Sequence, residues 1–217
     1  YAISFENLLD YVNDKLPHNE EISKSLRKEV KMYPEVAIRE FVANALIHQD
    51  LSISGAGPMI EIFDNRIEIT NTGEPLIDTD RFIDHPPRSR NEDMASFMRQ
   101  IGVCEEGGTG IDRALIGIAL YQLPAPNFER YENFTKVTLY AHKNLRDMTL
   151  DDKVRACFQH CVLKYVENSR MTNATLRERL GIEEKNYPAA SIIIKATIEK
   201  KLIKESERPK EYVPVWA

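Results

Sequence analysis

Glu40, Asn44 and His48 recur at i, i+4 and i+8 within Pro34–Asp50, PEVAIREFVANALIHQD, so on a helix they stack in one line. A carboxylate, a carboxamide and an imidazole aligned at the edge of an apolar stripe make one wall of a polar site. The same line could also face water as an ordinary helix edge. A second candidate is Gly107-Gly108-Thr109-Gly110, which leads straight into an apolar helix. Glycines let a ligand approach the backbone closely, and the free N–H groups of a helix start favour anions such as phosphate. It is not a dinucleotide fingerprint, because a helix rather than a strand precedes it and the spacing breaks at Arg113. A flexible interhelical turn is the plainer reading of those glycines. Cys157, His160 and Cys161 share a helix face, but cysteines four apart in an apolar pattern read as core before they read as zinc ligands. The chain holds no G-x-x-x-x-G-K-[ST] phosphate loop and no nucleophile elbow.

The elements that must position these residues follow from periodicity and punctuation. Phe5, Leu8, Leu9, Val12 and Leu16 mark a short helix that stops at Pro17, and a polar, charge-rich connector runs to Tyr33. Pro34 opens the long helix, whose buried face is Val36, Ala37, Phe41, Val42, Ala45 and Leu46. Met59–Phe63 and Arg66–Thr70 alternate as strands around a tight Asp64-Asn65 turn, and Asn71–Pro75 is a turn. Residues 76–106 form a long segment with a helix near Glu92–Ile101. A second helix spans about Ile111–Leu120, and Phe128–Tyr131 and Thr135–Ala141 are closing strands. After the polar stretch Asn144–Asp151 come three helices, near Asp152–Glu167, Asn173–Leu180 and Pro188–Lys200. A β-like pair, Leu202–Lys204 and Glu211–Val215, closes the chain. Thr172 or Asn173 can cap the second of these helices and Gly181 can end it. Three short helices and a hairpin describe a winged helix-turn-helix. Domains are therefore expected at 1–146 and 147–217.

At 217 residues and 42% hydrophobic, the chain can bury a substantial core. It opens on Tyr1 rather than methionine, which reads as a piece of a longer protein. No apolar run approaches the roughly 18 residues of a membrane span, so no membrane association is expected. Three cysteines make no disulfide framework and suit a reducing, cytoplasmic setting. The net charge of −5 is uneven: residues 151–217 hold 13 Lys/Arg against 10 Asp/Glu, while the remainder holds 16 against 24. An acidic body with a mildly basic tail suits two modules, and only the second has a charge compatible with nucleic acid.

The order of parts resembles the Bergerat-fold (GHKL) ATPases: E-x-x-x-N on a helix at Glu40 and Asn44, then a D-x-G-x-G-like turn at Asn71–Pro75, then a glycine-rich lid hinge at Gly107–Gly110. More closely, REFVANALIHQD, FDNRIEITNTGEPL, RSRNEDMASFMRQIGVCEEGGTGIDRA and the terminal YVPVWA resemble the RecG-related family of transcriptional regulators, often labelled ATP-dependent DNA helicase-related. The resemblance implies an α+β fold: a Bergerat-like sandwich with a mixed, largely antiparallel sheet, followed by a winged helix. It implies ATP and Mg²⁺ as cofactors, with Glu40 as general base and Asn44 as the Mg²⁺ ligand. Asn71, Gly73, Gly107, Gly108, Thr109 and Gly110 would complete the nucleotide site. Activity would be at most a slow ATPase, since the chain carries no helicase motor motif.

Two residues depart from that pattern: Asn71 stands for the superfamily's aspartate and Pro75 for its second glycine. An amide can still accept a hydrogen bond from an adenine amino group. His48 lies where the superfamily helix offers a further acidic residue, and either supports phosphate or metal contacts or caps the helix end. In the C-terminal module, Lys185, Asn186, Tyr187, Ser191, Lys195, Arg208 and Lys210 are placed to reach DNA, while Ile192, Ile193, Ile194, Ala196 and Ile198 are expected in the core. The competing reading is a degenerate scaffold that binds no nucleotide and acts in DNA binding or as a homodimerisation module.

Overall fold

The first unit begins with α1 (Ala2–Lys15), a β1 (His18–Ile22) to β2 (Arg27–Lys31) hairpin and α2 (Glu35–Ile47). It continues through β3 (Met59–Phe63), β4 (Arg66–Thr72), α3 (Glu92–Gln100), α4 (Gly110–Leu120), β5 (Asn127–Tyr131) and β6 (Phe134–Tyr140). These belong to a computed structural model that describes residues 2–16, 18–22, 27–86, 88–104 and 108–217. Contacts divide it into Tyr1–Tyr121 with Pro126–His142, and Gln122–Ala125 with Lys143–Ala217.

The main sheet has the order β3-β4-β6-β5, and every pairing in it is antiparallel. The expected mixed sheet is therefore corrected. The two helices between β4 and β5 return the chain to a hairpin, and β6, its second strand, lies antiparallel to β4. Ile67, Ile69 and Leu139 are buried on one face of this sheet. The predicted connector before Tyr33 also contains the β1–β2 hairpin, a pair so rich in charge that it carries no period-2 apolar signal.

Helix α2 is buried around most of its circumference rather than on one face: Ala37, Ile38, Phe41, Val42, Ala43, Ala45 and Ile47 are all enclosed, while Val36 and Leu46 are only half-buried. The apolar residues at every second or third position leave Glu35 and Arg39 as its exposed side chains. Helix α4 packs against it closely enough that a Cβ on Gly117 would come within 2.8 Å of Val36 Cγ1. Strand β4 runs to Thr72, so Asn71 lies in the sheet and not in a turn.

In the second unit, α5 (Leu150–Val166), α6 (Asn173–Leu180) and α7 (Tyr187–Glu199) precede a short hairpin of β7 (Ile203–Glu205) and β8 (Tyr212–Pro214). Met171 adds an antiparallel bridge to Tyr212. Capping boxes open α5 (Thr149 with Asp152) and α6 (Thr172 with Thr175), and Gly181 ends α6 at φ +63°. Gln122–Ala125 joins this unit with Leu123 and Ala125 buried. Arg179 Nη2 donates to Leu123 O at 3.0 Å, and Arg155 Nε to Ala125 O at 3.0 Å. Cys157 and Cys161 are core, the former with its thiol 3.8 Å from Met171 Sδ.

Not all of the isoleucine run is core. Ile193 and Ile194 are buried, but Ile192 is 66% exposed and Ile198 38%. Three consecutive residues of a helix point about 100° apart, so they cannot all face one side. Among the described residues no helix is long and apolar enough to cross a membrane.

Candidate functional site

A cavity of about 190 Å³ opens in the first unit, between α2, the β4–β6 part of the sheet, the segment after β4 and the start of α4. Glu40 and Asn44 on α2, and His48 as its C-cap, all line it, in keeping with their i, i+4, i+8 spacing. The opposite wall is sheet: Ile69 and Asn71 from β4, and Thr135 and Val137 from β6. Phe41, Phe82 and Phe128 form an aromatic corner, with Phe128 meeting Phe41 at 5.8 Å and Phe82 at 5.4 Å, both edge-on.

Asn71 and Thr135 are register partners across β4 and β6. The Asn71 amide donates to Thr72 O at 3.1 Å, and a carbonyl can only accept, so Nδ2 must face it. That leaves Oδ1 as the acceptor this buried side chain can present. Thr135 Oγ1 donates to Gly73 O at 2.8 Å, which pins the strand end. Gly73 itself, at φ +97°, is not part of the lining. Its backbone is pressed between Asp50 and Arg90, so a Cβ there would lie 2.9 Å from Asp50 Cβ and 3.2 Å from Arg90 Cζ.

Glu40 is buried, and its carboxylate lies against the first residue of α4: a Cβ on Gly110 would collide with Glu40 Oε2. Placing a carboxylate at a helix start matches the positive end of the helix dipole. Cys104 shares this corner, its thiol pushed up to about 11 by burial and by the Glu40 charge. His48 is the C-cap of α2, and its protonated form is disfavoured, first by burial and then by the Arg90 charge. It is therefore a neutral polar group of the wall as well as the helix end.

The sequence-predicted nucleotide residues are only partly brought together. Glu40, Asn44, Asn71, Gly108 and Gly110 line the cavity. Thr109 is exposed outside the lining, as the residue preceding α4, and Gly107 lies outside the described residues. Sequence reading missed Thr135, which is identified only by the β4–β6 register. It also missed Arg88, Ser89 and Arg90, which line the cavity from a quoted stretch to which no role was given. Arg90 donates to Asp50 Oδ2 (2.8 Å) and Glu74 O (2.6 Å), and Asn91 Nδ2 donates to Ile47 O and Gln49 O (both 2.8 Å). These two residues tie the segment after β4 to the end of α2.

On the second unit, Lys185, Asn186, Tyr187, Ser191, Lys195, Arg208 and Lys210 are all exposed. Lys185 is paired with Glu183 at 2.6 Å, Lys195 faces Glu199 at 3.9 Å, and Ser191 accepts from Asn173 at 2.9 Å.

Residues 55–139 match the family model described as "Putative ATP-dependent DNA helicase recG C-terminal". The match takes in Asn71, Gly108, Gly110 and Thr135 but starts after Glu40 and Asn44. A search of curated proteins returned no match. Among solved structures, the DIP2311 protein of Corynebacterium diphtheriae is similar in fold at a TM-score of 0.60 and 17% identity, over 97% of this chain. This chain spans 45% of the length of that protein.

Proposed function

We propose that the first unit binds a purine nucleotide, ATP with Mg²⁺, and that the protein is a regulator whose second unit contacts DNA as a winged helix. The observation that carries the nucleotide reading is the pairing of Asn71 and Thr135 on the cavity wall beside an aromatic corner, with Glu40 and Asn44 on the facing helix. The apolar aromatic corner suits a base, and the Asn71 oxygen suits the donor of an adenine amino group. The residues fit a bound Mg–nucleotide in a further respect: Gly110 has no side chain where one would strike Glu40, so the candidate base keeps its place on the cavity edge.

Among the described residues no group of three or more His, Cys, Asp or Glu could hold a metal. A Mg²⁺ ion here would take most of its oxygens from phosphates and water, with Asn44 as the protein ligand, and would supply charge neutralisation of the phosphates. Glu40 would accept the proton of an attacking water.

Titration calorimetry of the chain with ATP and Mg²⁺ tests the reading. Binding with Kd in the micromolar to sub-millimolar range is expected, weakened at least about tenfold by Asn44→Ala. No heat and no thermal shift at millimolar ATP would overturn it.

One observation favours the second reading, a scaffold whose C-terminal unit pairs with protein instead of DNA. Tyr187 and Ile192 are exposed on α7, and two of the unit's candidate cations, Lys185 just before that helix and Lys195 on it, already have carboxylate partners.

A further inference from the structure

We propose that Arg88 is the charge-reading residue of the cavity, taking the anionic end of the ligand. This rests on the nucleotide reading and adds to it a residue from a segment with no assigned role. Residues from 76–86 and 88–90 supply one wall, and this segment is held at its end because Arg90 Nη2 donates to Glu74 O, while Asn91 holds the end of α2.

Three arginines belong to this segment, of which Arg88 and Arg90 line the cavity, and two of the three are spent. Arg81 grips Asp84 through Nε at 2.9 Å and Nη2 at 2.6 Å, and Arg90 is paired with Asp50 at 2.8 Å. Arg88 lines the cavity, is exposed, and has no hydrogen bond or ion pair among the described residues. Among the described residues no lysine lines the cavity, and of its two lining carboxylates Glu74 is already answered by Arg130, while Glu40 lies against the start of α4. Arg88 is thus the lining cation left to answer negative charge that a ligand brings in. An arginine serves this better than a point charge because its planar fork can bind two phosphate oxygens at once.

The experiment is a calorimetric series on the full chain with adenosine, AMP, ADP and ATP, all with Mg²⁺. For the parent, affinity should rise with phosphate number. In Arg88→Ala, ATP should bind about ten- to a hundred-fold more weakly while adenosine stays within about twofold. Arg88→Lys should recover part of the ATP affinity. Arg88→Gln carries the same comparison if the alanine variant does not fold. The proposal is overturned if ATP binds Arg88→Ala as it binds the parent, or if ATP and adenosine weaken by the same factor. A parent that binds neither ATP nor adenosine overturns the nucleotide reading itself.

Discussion

The carboxylate of Glu40 lies against the α-carbon of Gly110, so the middle of one helix touches the first residue of another at the edge of the cavity. The contact ties a candidate base to the start of α4, and it separates two kinds of glycine in that helix.

Gly110→Ala and Gly117→Ala should behave differently. At Gly110 the new methyl meets the end of a flexible side chain, so Glu40 swings aside. The unfolding free energy should then change by less than about 1 kcal/mol, while ATP binding or turnover falls. At Gly117 the methyl meets Val36 Cγ1 at 2.8 Å and Pro34 Cβ at 3.3 Å inside the α2–α4 contact, and about 1–3 kcal/mol should be lost. Urea unfolding of both variants, with nucleotide titration of the first, checks the pair. Equal destabilisation would contradict it.

Asn71→Asp restores the residue type of the resembling superfamily, yet the structure predicts that it weakens the fold. The Nδ2 donor to Thr72 O at 3.1 Å would be replaced by an acceptor, setting a buried carboxylate oxygen against a carbonyl. A loss of about 1–3 kcal/mol is expected. It should be smaller at pH 4 than at pH 8, because a protonated carboxyl can donate where the amide did. A variant as stable as the parent at pH 8 would mean that the Asn71–Thr72 bond contributes nothing.

Much of the first unit was legible because its signals are local. Glu40 and Asn44 on α2 with His48 as its C-cap, and the Asp64-Asn65 turn, appear where the local pattern put them, and Gly110 opens α4. What could not be read depends on pairings far apart in the chain. Thr135 meets Asn71 only through strand register, and Arg90 reaches Asp50 across 40 positions. The burial of α2 was underestimated for a related reason. Periodicity marks one apolar stripe, but Ala43 and Ile47 lie off it and are enclosed all the same. In the second unit, the isoleucine run was assigned to the core by hydrophobicity alone, although helix geometry sends Ile192 outward.

The second unit should lose stability in mild acid through His160. Its ring is largely enclosed on α5, with Nε2 unpartnered, and its pKa is pushed down to about 4, first by burial and then by the Lys164 and Arg179 charges. In the unfolded chain the ring titrates near 6.5. The neutral form is therefore favoured by folding, and this contribution is complete above about pH 6.5. It declines as the pH falls from there to about 4, at up to about 1.4 kcal/mol per pH unit. Trp216, the single tryptophan, stacks edge-on against Tyr165 at 5.3 Å and reports this unit by fluorescence. His160→Phe should flatten the pH dependence between 6.5 and 4, and an unchanged slope would place the acid sensitivity elsewhere.

The last prediction separates DNA from protein as the partner of α7. Lys185 and Lys195 have Glu183 and Glu199 at hand, so a phosphate must compete with a carboxylate for each. Duplex binding should consequently be weak and steep in salt, and mutating Lys185, Lys195 and Arg208 together to alanine should lower the slope of log K against log salt by about 2–3. Ile192→Glu adds a negative charge at a position 66% exposed on the same helix. If DNA is the partner, this change weakens duplex binding and leaves the sedimentation of the free protein unchanged. If a second copy covers the face, it converts a dimer to monomer, because an exposed isoleucine gains most from being removed from water. Measuring gel shifts at low salt and sedimentation at the same concentrations assigns the face to one partner, since a charge at Ile192 cannot be neutral to both.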